Sequence, residues 1–539
     1  MRIDPVQLYK QNQLIYDYRN TSGQISYFFD YMPFGSSEQR INDLENRVFD
    51  RVGLVEVLHA MNEQWEAPDS TYHNIERLKE DNSVVVIGGQ QAGLMTGPMY
   101  TINKIISIIQ FARQQEANLD IPVIPVFWIA GEDHDLDEIN HIYLPEATKM
   151  KKHKLIQHGF EKHSVSHIHM DAAESNAWLN DLFEQLTETQ YTKELYETIK
   201  GCLDKSTTYV DFFARVIYQL FTEEGLVLID SADPKVRQLE SSYFIQLIEN
   251  QNMISEGVYT AFSQLQQKGY SLSLDADPTD GHLFYHKNNE RILLMRNNDG
   301  EWVGKQNEVR LTTEELITIA KTHPEHLSNN VVTRPLMQEL LFPSLAFIGG
   351  PGEISYWAAL KPAFHALNMK MPPVLPRLSM TYIDRNVEKS LKRFDIPAVE
   401  AVNQGIKDIK GHWLASKCNP PVEQVANEIK ATIDKAHAPL RDIARDTRSD
   451  LGELADKNLY YLYRDIEYLE DRILKALQEK YAKELYEFDH INNVLRPYDG
   501  LQERIWNPFP LVNAYGIDFI KKITNASCSF EHDHYLVYM

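Results

Sequence analysis

The chain has 539 residues, with 54 Lys+Arg against 77 Asp+Glu and a net charge of −23 before histidine. Apolar residues make up 43% and charged residues 24%, ordinary globular usage, and no apolar run approaches the roughly 18 residues of a membrane span. So acidic a balance argues against non-specific nucleic-acid binding. The N-terminal stretch lacks a signal peptide's apolar segment. The three scattered cysteines, Cys202, Cys418 and Cys528, offer neither a disulfide framework nor a metal motif. The expectation is a cytoplasmic protein of roughly two to four domains, acting on small molecules, with no nucleic-acid and no membrane partner.

In chain order, residues 1–82 predict an N-terminal helical region joined to a core over 83–395. The run at 83–89 (SVVVIGG) is apolar, β-branched and ended by two glycines, as in a strand buried on both faces. A polar turn follows, and Gly97-Pro98 opens a helix with proline where a missing N–H costs nothing. Ile102, Ile105, Ile106, Ile109 and Ala112 then share one helix face. The run at 121–129 (IPVIPVFWI) is a second strand, so the unit is strand, glycine turn, helix, strand: a βαβ crossover. Further strands are predicted at 225–230, 344–348 and 373–376. The fold class is α/β, one open, mainly parallel Rossmann-like sheet. Two insertions interrupt it, a polar helical one near 145–215 and one near 240–330 with hairpin signals at 286–289 and 297–300.

A helical coiled-coil hairpin is predicted over 396–490. Leu459, Ile466 and Ile473 fit heptad position a, and Ala455, Leu462, Leu469 and Ala476 fit position d, the spacing of a left-handed supercoil. The preceding helix folds back antiparallel, with Pro439 set to kink it. An apolar seam projecting from the body needs a partner, and a second subunit is the simplest. Residues 491–539 are expected to pack back on the core.

Four loops carry candidate chemistry. In 88–98, glycines Gly88, Gly89 and Gly93 between strand and helix would let backbone N–H groups approach an anion, with the helix dipole behind them. Gln90, Gln91 and Thr96 add polar groups, and Lys104 adds charge if it does not face solvent. The turn is neither G-x-G-x-x-G nor Walker A, and a tight turn satisfying positive φ is the plain alternative. Next, 131–141 (GEDHDLDEINH) starts at the carboxyl end of the second strand. It reads as a hard-cation or Mg–nucleotide platform on Glu132, Asp133, Asp135 or Asp137. Alternatively His134 and a neighbouring carboxylate form an acid/base pair for a substrate amine, or the segment is only an acidic helix start. Asn140 joins the substrate-facing set. In the third loop, Arg334 is a natural fork for a carboxylate or phosphate. In the fourth, Glu353 could accept from an ammonium or sugar hydroxyl, beside Tyr356 and Trp357, with Arg377 as a second anion contact. The plain alternatives are buried salt bridges, a helix cap and core packing. In 502–507 (QERIWN), Arg504 and Trp506, with Arg385, suggest a second nucleotide pocket, against simple packing of the tail.

Taken together, GGQQAGLMTGPMYTINKIISII, IPVFWIAGEDHDLDEIN, NNVVTRPLMQELLFPSLAFIGGPGEISYW, KMPPVLPR and QERIWN, spread from residue 88 to 507, closely resemble the BshC family, the cysteine ligases of bacillithiol biosynthesis. The resemblance implies a Rossmann-type core like that of class I aminoacyl-tRNA synthetases and nucleotidyltransferases, two insertions, and a coiled coil that mediates homodimerisation. It implies a C–N bond-forming ligase that joins cysteine to the glucosamine amine of glucosaminyl-malate. Departures are visible. The first turn has no H-x-G-H histidine, no Lys-rich loop follows, residues 370–373 (KMPP) substitute poorly for one, and no cysteine cluster could form a thiol-binding zinc site. ATP, with Mg²⁺, is the expected energy source. On this expectation Gly89, Gln90, Gln91 and Thr96 cradle a phosphate or the activated carboxyl, His134 or Asp133 takes the amine's proton, and Arg334 and Arg377 hold the malate carboxylates. The alternatives are a metal-dependent hydrolase or transferase on 132–137, or a dimeric scaffold that senses nucleotide. All depend on residues 90, 134, 334 and 353 meeting in one cavity.

Overall fold

The computed structural model describes all residues except 23, 147, 158–162, 273 and 289. Its centre is a five-stranded sheet of β1 (Val84–Gln90), β2 (Val123–Ile129), β3 (Val227–Asp230), β4 (Ser344–Gly349) and β5 (Val374–Pro376), in the order β5-β4-β1-β2-β3. Every pair is parallel. The strands are buried on both faces, which is why they read as unbroken apolar runs and not as alternation. Chain order runs outward from β1 through β2 to β3, then returns to the other side of β1 for β4 and β5. The strand order therefore reverses between β1 and β4, where a crevice opens at the carboxyl edge of such sheets.

Helices α1 (Met99–Leu119), α2 (Tyr209–Leu220), α3 (Pro234–Glu249), α4 (Thr333–Leu341) and α5 (Pro351–Trp357) surround this sheet. The passage from β2 to β3 first forms an antiparallel hairpin, His141–Glu146 with Lys149–Lys154, then the helices Ala172–Gln185 and Thr192–Asp204. It returns through α2, a core crossover helix begun by a Thr208–Asp211 capping box. The expected insertion at 145–215 thus contains the start of a core element. Between β3 and β4 lies a five-stranded antiparallel sheet over Asp280–Lys287, Glu290–Arg296, Trp302–Gly304, Arg310–Leu311 and Leu327–Asn329. The hairpin signal at 286–289 falls partly on Asn289, outside the described residues, with Lys287 paired to Glu290 across it. The 297–300 signal is a turn closed by Gly300, in the left-handed region at φ 76°.

Two expectations are corrected at the ends. The N-terminal region is not helical throughout: Arg2–Val6 is a strand, antiparallel to His534–Tyr538, which also pairs in parallel with Met380–Ile383. That strand is completed by a segment more than 500 residues away, a pairing no local pattern encodes. The second correction concerns the hairpin of α6 (Val422–Thr447) and α7 (Ser449–Lys480). Leu462 and Leu469, expected in the seam, are 37% and 59% exposed. The more buried face of α7 runs through residues 455, 459, 463, 466, 470, 474 and 477, and that of α6, which is broader, through 422, 425, 426, 430, 433, 434, 437, 438, 441 and 444. The α7 face follows 4-4-3 spacings, an 11-residue repeat that suits straight or right-handed pairing, in place of the heptad seam expected. Helix α6 continues through Pro439. Helix α8 (Ala482–Leu495) then returns the chain to a second core containing Ile383, Val387, Phe488, Ile491 and Trp506.

Candidate active site

Loops from four strand ends enclose a cavity of about 340 Å³ at the point of reversal. From β1 come Gly89, Gln90 and Gln91; from beyond β2, Asp133 and Glu138; from beyond β4, Gly350, Glu353 and Tyr356; from beyond β5, Arg377. Helix α1 adds Tyr100 and Lys104, α4 adds Arg334 and Gln338, and the C-terminal segment adds Arg504. Residues 90, 334 and 353 therefore do share one cavity. Residue 134 does not line it. His134 lies behind Asp133, its ring edge-on to Phe284 and its Nδ1 3.3 Å from Arg291 Nη1.

Lys104 joins two of these loops. Because α1 is buried along nearly its whole length, Lys104 cannot reach solvent, and its ammonium donates to Gly89 O (2.6 Å), Gln90 Oε1 (3.2 Å) and Glu353 Oε2 (2.5 Å). Burial lowers the Lys104 pKa, and the Glu353 carboxylate opposes that. Glu353 Oε2 also accepts the Gly350 N–H at 2.7 Å, so the cap and the site residue are one and the same group. Gln91 Nε2 reaches Asp133 Oδ2 at 3.5 Å, tying the first loop to the second.

Asp133 stands at the front of a buried charge network. Glu132 is wholly buried and accepts from Arg334 Nε (2.8 Å) and from Arg237, whose other nitrogen holds Glu240 at 2.6 Å. Arg334 Nη2 donates to Asp133 Oδ1 at 2.5 Å, and Arg291 Nη1 stands 3.3 Å from the same oxygen. Burial alone would raise the Glu132 pKa, but Arg237, Arg334 and Arg291 overcome it and hold the carboxyl at about 2. Enclosed by arginines, Glu132 cannot face a cation or a substrate, which corrects its assignment as a catalytic or metal-holding group. Among the described residues no group of three or more His, Cys, Asp or Glu is placed to hold a metal ion. Arg237, Glu240 and Arg291 were not foreseen, being single charges on a helix and on a hairpin strand with no motif around them.

The opposite wall repeats the device. Glu503, fully buried, takes a bidentate bridge from Arg377 (2.8 and 2.7 Å), Asn103 Nδ2 (2.7 Å) and the Ser379 hydroxyl (2.8 Å). Burial again opposes and Arg377 again wins, keeping Glu503 at about 2. Its neighbour Arg504 lies exposed at the rim, with no acid partner among the described residues. Lys104, Arg334 and Arg377 are each paired to a carboxylate in place, whereas Arg504 is the cavity cation without one among the described residues.

The remaining predicted residues lie elsewhere. Of the expected phosphate cradle in the first turn, Gly89, Gln90 and Gln91 line the cavity, and only Thr96 and the helix start are corrected. Met95, Thr96 and Gly97 take positive φ and fold the turn back, where Asn507 Nδ2 holds Met95 O and Gly97 O. The Met99 N–H at the start of α1 donates to Trp506 O at 2.7 Å, so the C-terminal segment occupies the place an anion would need. Thr96 is buried, its hydroxyl unpartnered, and Gly93 is pressed against Gly97. Gly88 lies within the sheet, where a side chain would meet Ile348 O at 2.9 Å. Asp135 is exposed as the residue capping the short helix Leu136–Ile139, and Asn140 is buried behind it, 3.4 Å from Asp137. Trp506 is core, its indole N–H donating to Asn493 O, and exposed Arg385 opens the helix Arg385–Arg393 away from the cavity. Arg504 lines the cavity while Trp506 packs into the second core, so the two point to different sides of their short segment and do not share a pocket with Arg385 as expected.

Two family models cover this architecture. The Bacillithiol biosynthesis BshC N-terminal Rossmann-like domain matches residues 1–378, and the Bacillithiol biosynthesis BshC C-terminal coiled-coil domain matches 380–539. Curated relatives from Oceanobacillus iheyensis and from a Geobacillus species are 42% and 40% identical, and each alignment covers 100% of both chains. A third, from Bacillus licheniformis, is 38% identical over the same shares, and all three bear the name "Putative cysteine ligase BshC". With its reversed parallel sheet, its charged crevice and its helical hairpin matched end to end, the chain belongs to the BshC family of bacillithiol biosynthesis.

Proposed function

We propose that the chain joins the carboxyl group of cysteine to the glucosamine amine of glucosaminyl-malate, closing the synthesis of bacillithiol. The observation that carries this is the charge layout of the crevice: two carboxylates, Asp133 and Glu353, on facing loops, with cations between and beyond them. An amine must lose a proton to attack a carbonyl, and a carboxylate held by a cation and a backbone N–H is a positioned acceptor for it. Glu353, braced by Lys104, takes that role, with Asp133 orienting the ammonium. Arg334 and Arg377 each keep a nitrogen that their acid partners do not engage, and these hold the malate carboxylates. Amide formation in water needs an energy input, and ATP with Mg²⁺ is the proposed source. The Met99 N–H at one helix start and the Gly350 N–H at the other are already engaged within the chain, and unpaired Arg504 is placed to hold a phosphate. We further propose that a second copy covers the outward apolar stripe of α7.

The test is mass-spectrometric detection of bacillithiol from both substrates, with and without ATP–Mg²⁺. Product is expected only with nucleotide. Glu353→Gln is expected to lower turnover by about 10²–10⁴-fold as loss of a general base would, and His134→Ala, outside the cavity, by less than about tenfold. The reverse ranking would return the proton to His134, and absence of product under every condition would remove the ligase assignment.

A further inference from the structure

Behind the crevice lies a second chamber that none of the roles above uses. Of about 200 Å³, it adjoins the main cavity through Pro351, Arg377 and Arg504, which line both spaces. Leu8, Ile15, Ile354 and Leu501 give it an apolar side, and Asp533 and Arg19 a charged one. Its charged side is built on one ion pair. Arg19 donates through Nη2 to Phe530 O and His532 O, and its buried Nε forms an ion pair of 3.4 Å with Asp533 Oδ1 without a hydrogen bond, while Asp533 Oδ2 accepts the Leu8 N–H at 3.3 Å. The chamber lies below the roughly 300–1,000 Å³ of pockets for drug-sized ligands, so it suits a very small molecule.

We propose that this chamber is the subsite for the amino-acid substrate, a small zwitterion with a compact, weakly polar side chain. The assignment rests on the ligase reading for the identity of that amino acid as cysteine. Asp533 receives the ammonium, the side chain lies among Leu8, Ile15, Ile354 and Leu501, and the carboxylate points to Arg504 at the opening, where it meets the crevice. Selection by shape and by absence of charge supplies a way to choose cysteine without a zinc ligand set.

The experiment titrates full-length protein with cysteine alone, by calorimetry, and separately measures steady-state KM for each substrate. Two variants fill the chamber from its half-buried wall, Leu501→Phe and Leu8→Phe, and Asp533→Asn removes the ammonium's partner; thermal unfolding confirms that each is folded. Each variant is expected to weaken cysteine binding by about tenfold or more, equal to about 1.4 kcal/mol, while KM for glucosaminyl-malate changes less than about twofold. N-acetylcysteine, which has no ammonium, is expected not to bind. Unchanged cysteine binding in folded Leu501→Phe and Leu8→Phe overturns the assignment even if bacillithiol is made. ADP binding that is lost in those variants while cysteine binding persists also overturns it, making the chamber a nucleotide site. Cysteine binding that the variants abolish, in a wild type that makes no bacillithiol, instead upholds the chamber and defeats only the ligase reading.

Discussion

Glu132 and Glu503 are carboxylates placed where water cannot reach, each kept ionised by arginines from distant parts of the chain. Such pairs are weak evidence for stability as built, yet breaking one strands the other charge at a cost of about 3–5 kcal/mol. Both groups sit at about 2 in the fold against an ordinary 4.5, so the folded state binds fewer protons than the unfolded chain. Their contribution is complete above the ordinary value and is lost as pH falls through the window from 4.5 to 2. Glu503→Gln is therefore expected to lower stability by about 3–5 kcal/mol at pH 7 and to flatten the acid limb. Urea denaturation of both proteins across that window checks it, and parallel curves would show that Glu503 is not a source of the limb. Arg377 stands out in sequence and Glu503 does not, and their pairing spans 126 positions and carries no local signal.

At the scale of elements, the first βα turn has its conformation set by its neighbours. Gly88 and Gly89 lie between β4 and β2, and a side chain on Gly89 would come within 2.6 Å of Trp128 O. Trp128 O is backbone and cannot swing aside. Gly89→Ala is expected to cost about 1–3 kcal/mol, as overpacking does, with a lower melting temperature in calorimetry; an unchanged one would mean that the strands separate freely. The strands themselves were legible, because β-branched runs bounded by glycine or proline mark double burial. The closing of the α1 start by Trp506 and Asn507 was not. A free helix start and one capped from 400 residues away have the same local sequence.

For the whole molecule, α7 carries two stripes. One meets α6; the other leaves Leu454, Leu462, Tyr468 and Leu469 exposed, at 60%, 37%, 67% and 59%. Exposed apolar side chains gathered on one helix face, here interrupted by Asn458 and Asp465, are the kind of surface that association covers. For the dimer proposed above, Leu462→Glu with Leu469→Glu is expected to give monomer in sedimentation, with unfolding of the Rossmann-like body unchanged. A dimer that survives both substitutions would place the interface elsewhere. The sequence announced apolar residues at heptad spacing here, but spacing does not say which of two stripes a neighbouring helix takes.

What the sequence determined by itself was the run of buried strands, the βα units between them, the helical hairpin and the loops that gather at the carboxyl edge, because each follows from local periodicity and turn chemistry. Only the tertiary structure decided which charges in those loops remain free: Lys104 turned inward to Glu353, Glu132 enclosed, His134 set behind Asp133, Arg504 unpaired. The reason is physical. Periodicity is a property of neighbours along the chain, whereas the state of a buried charge depends on which opposite charge the fold brings within about 4 Å of it.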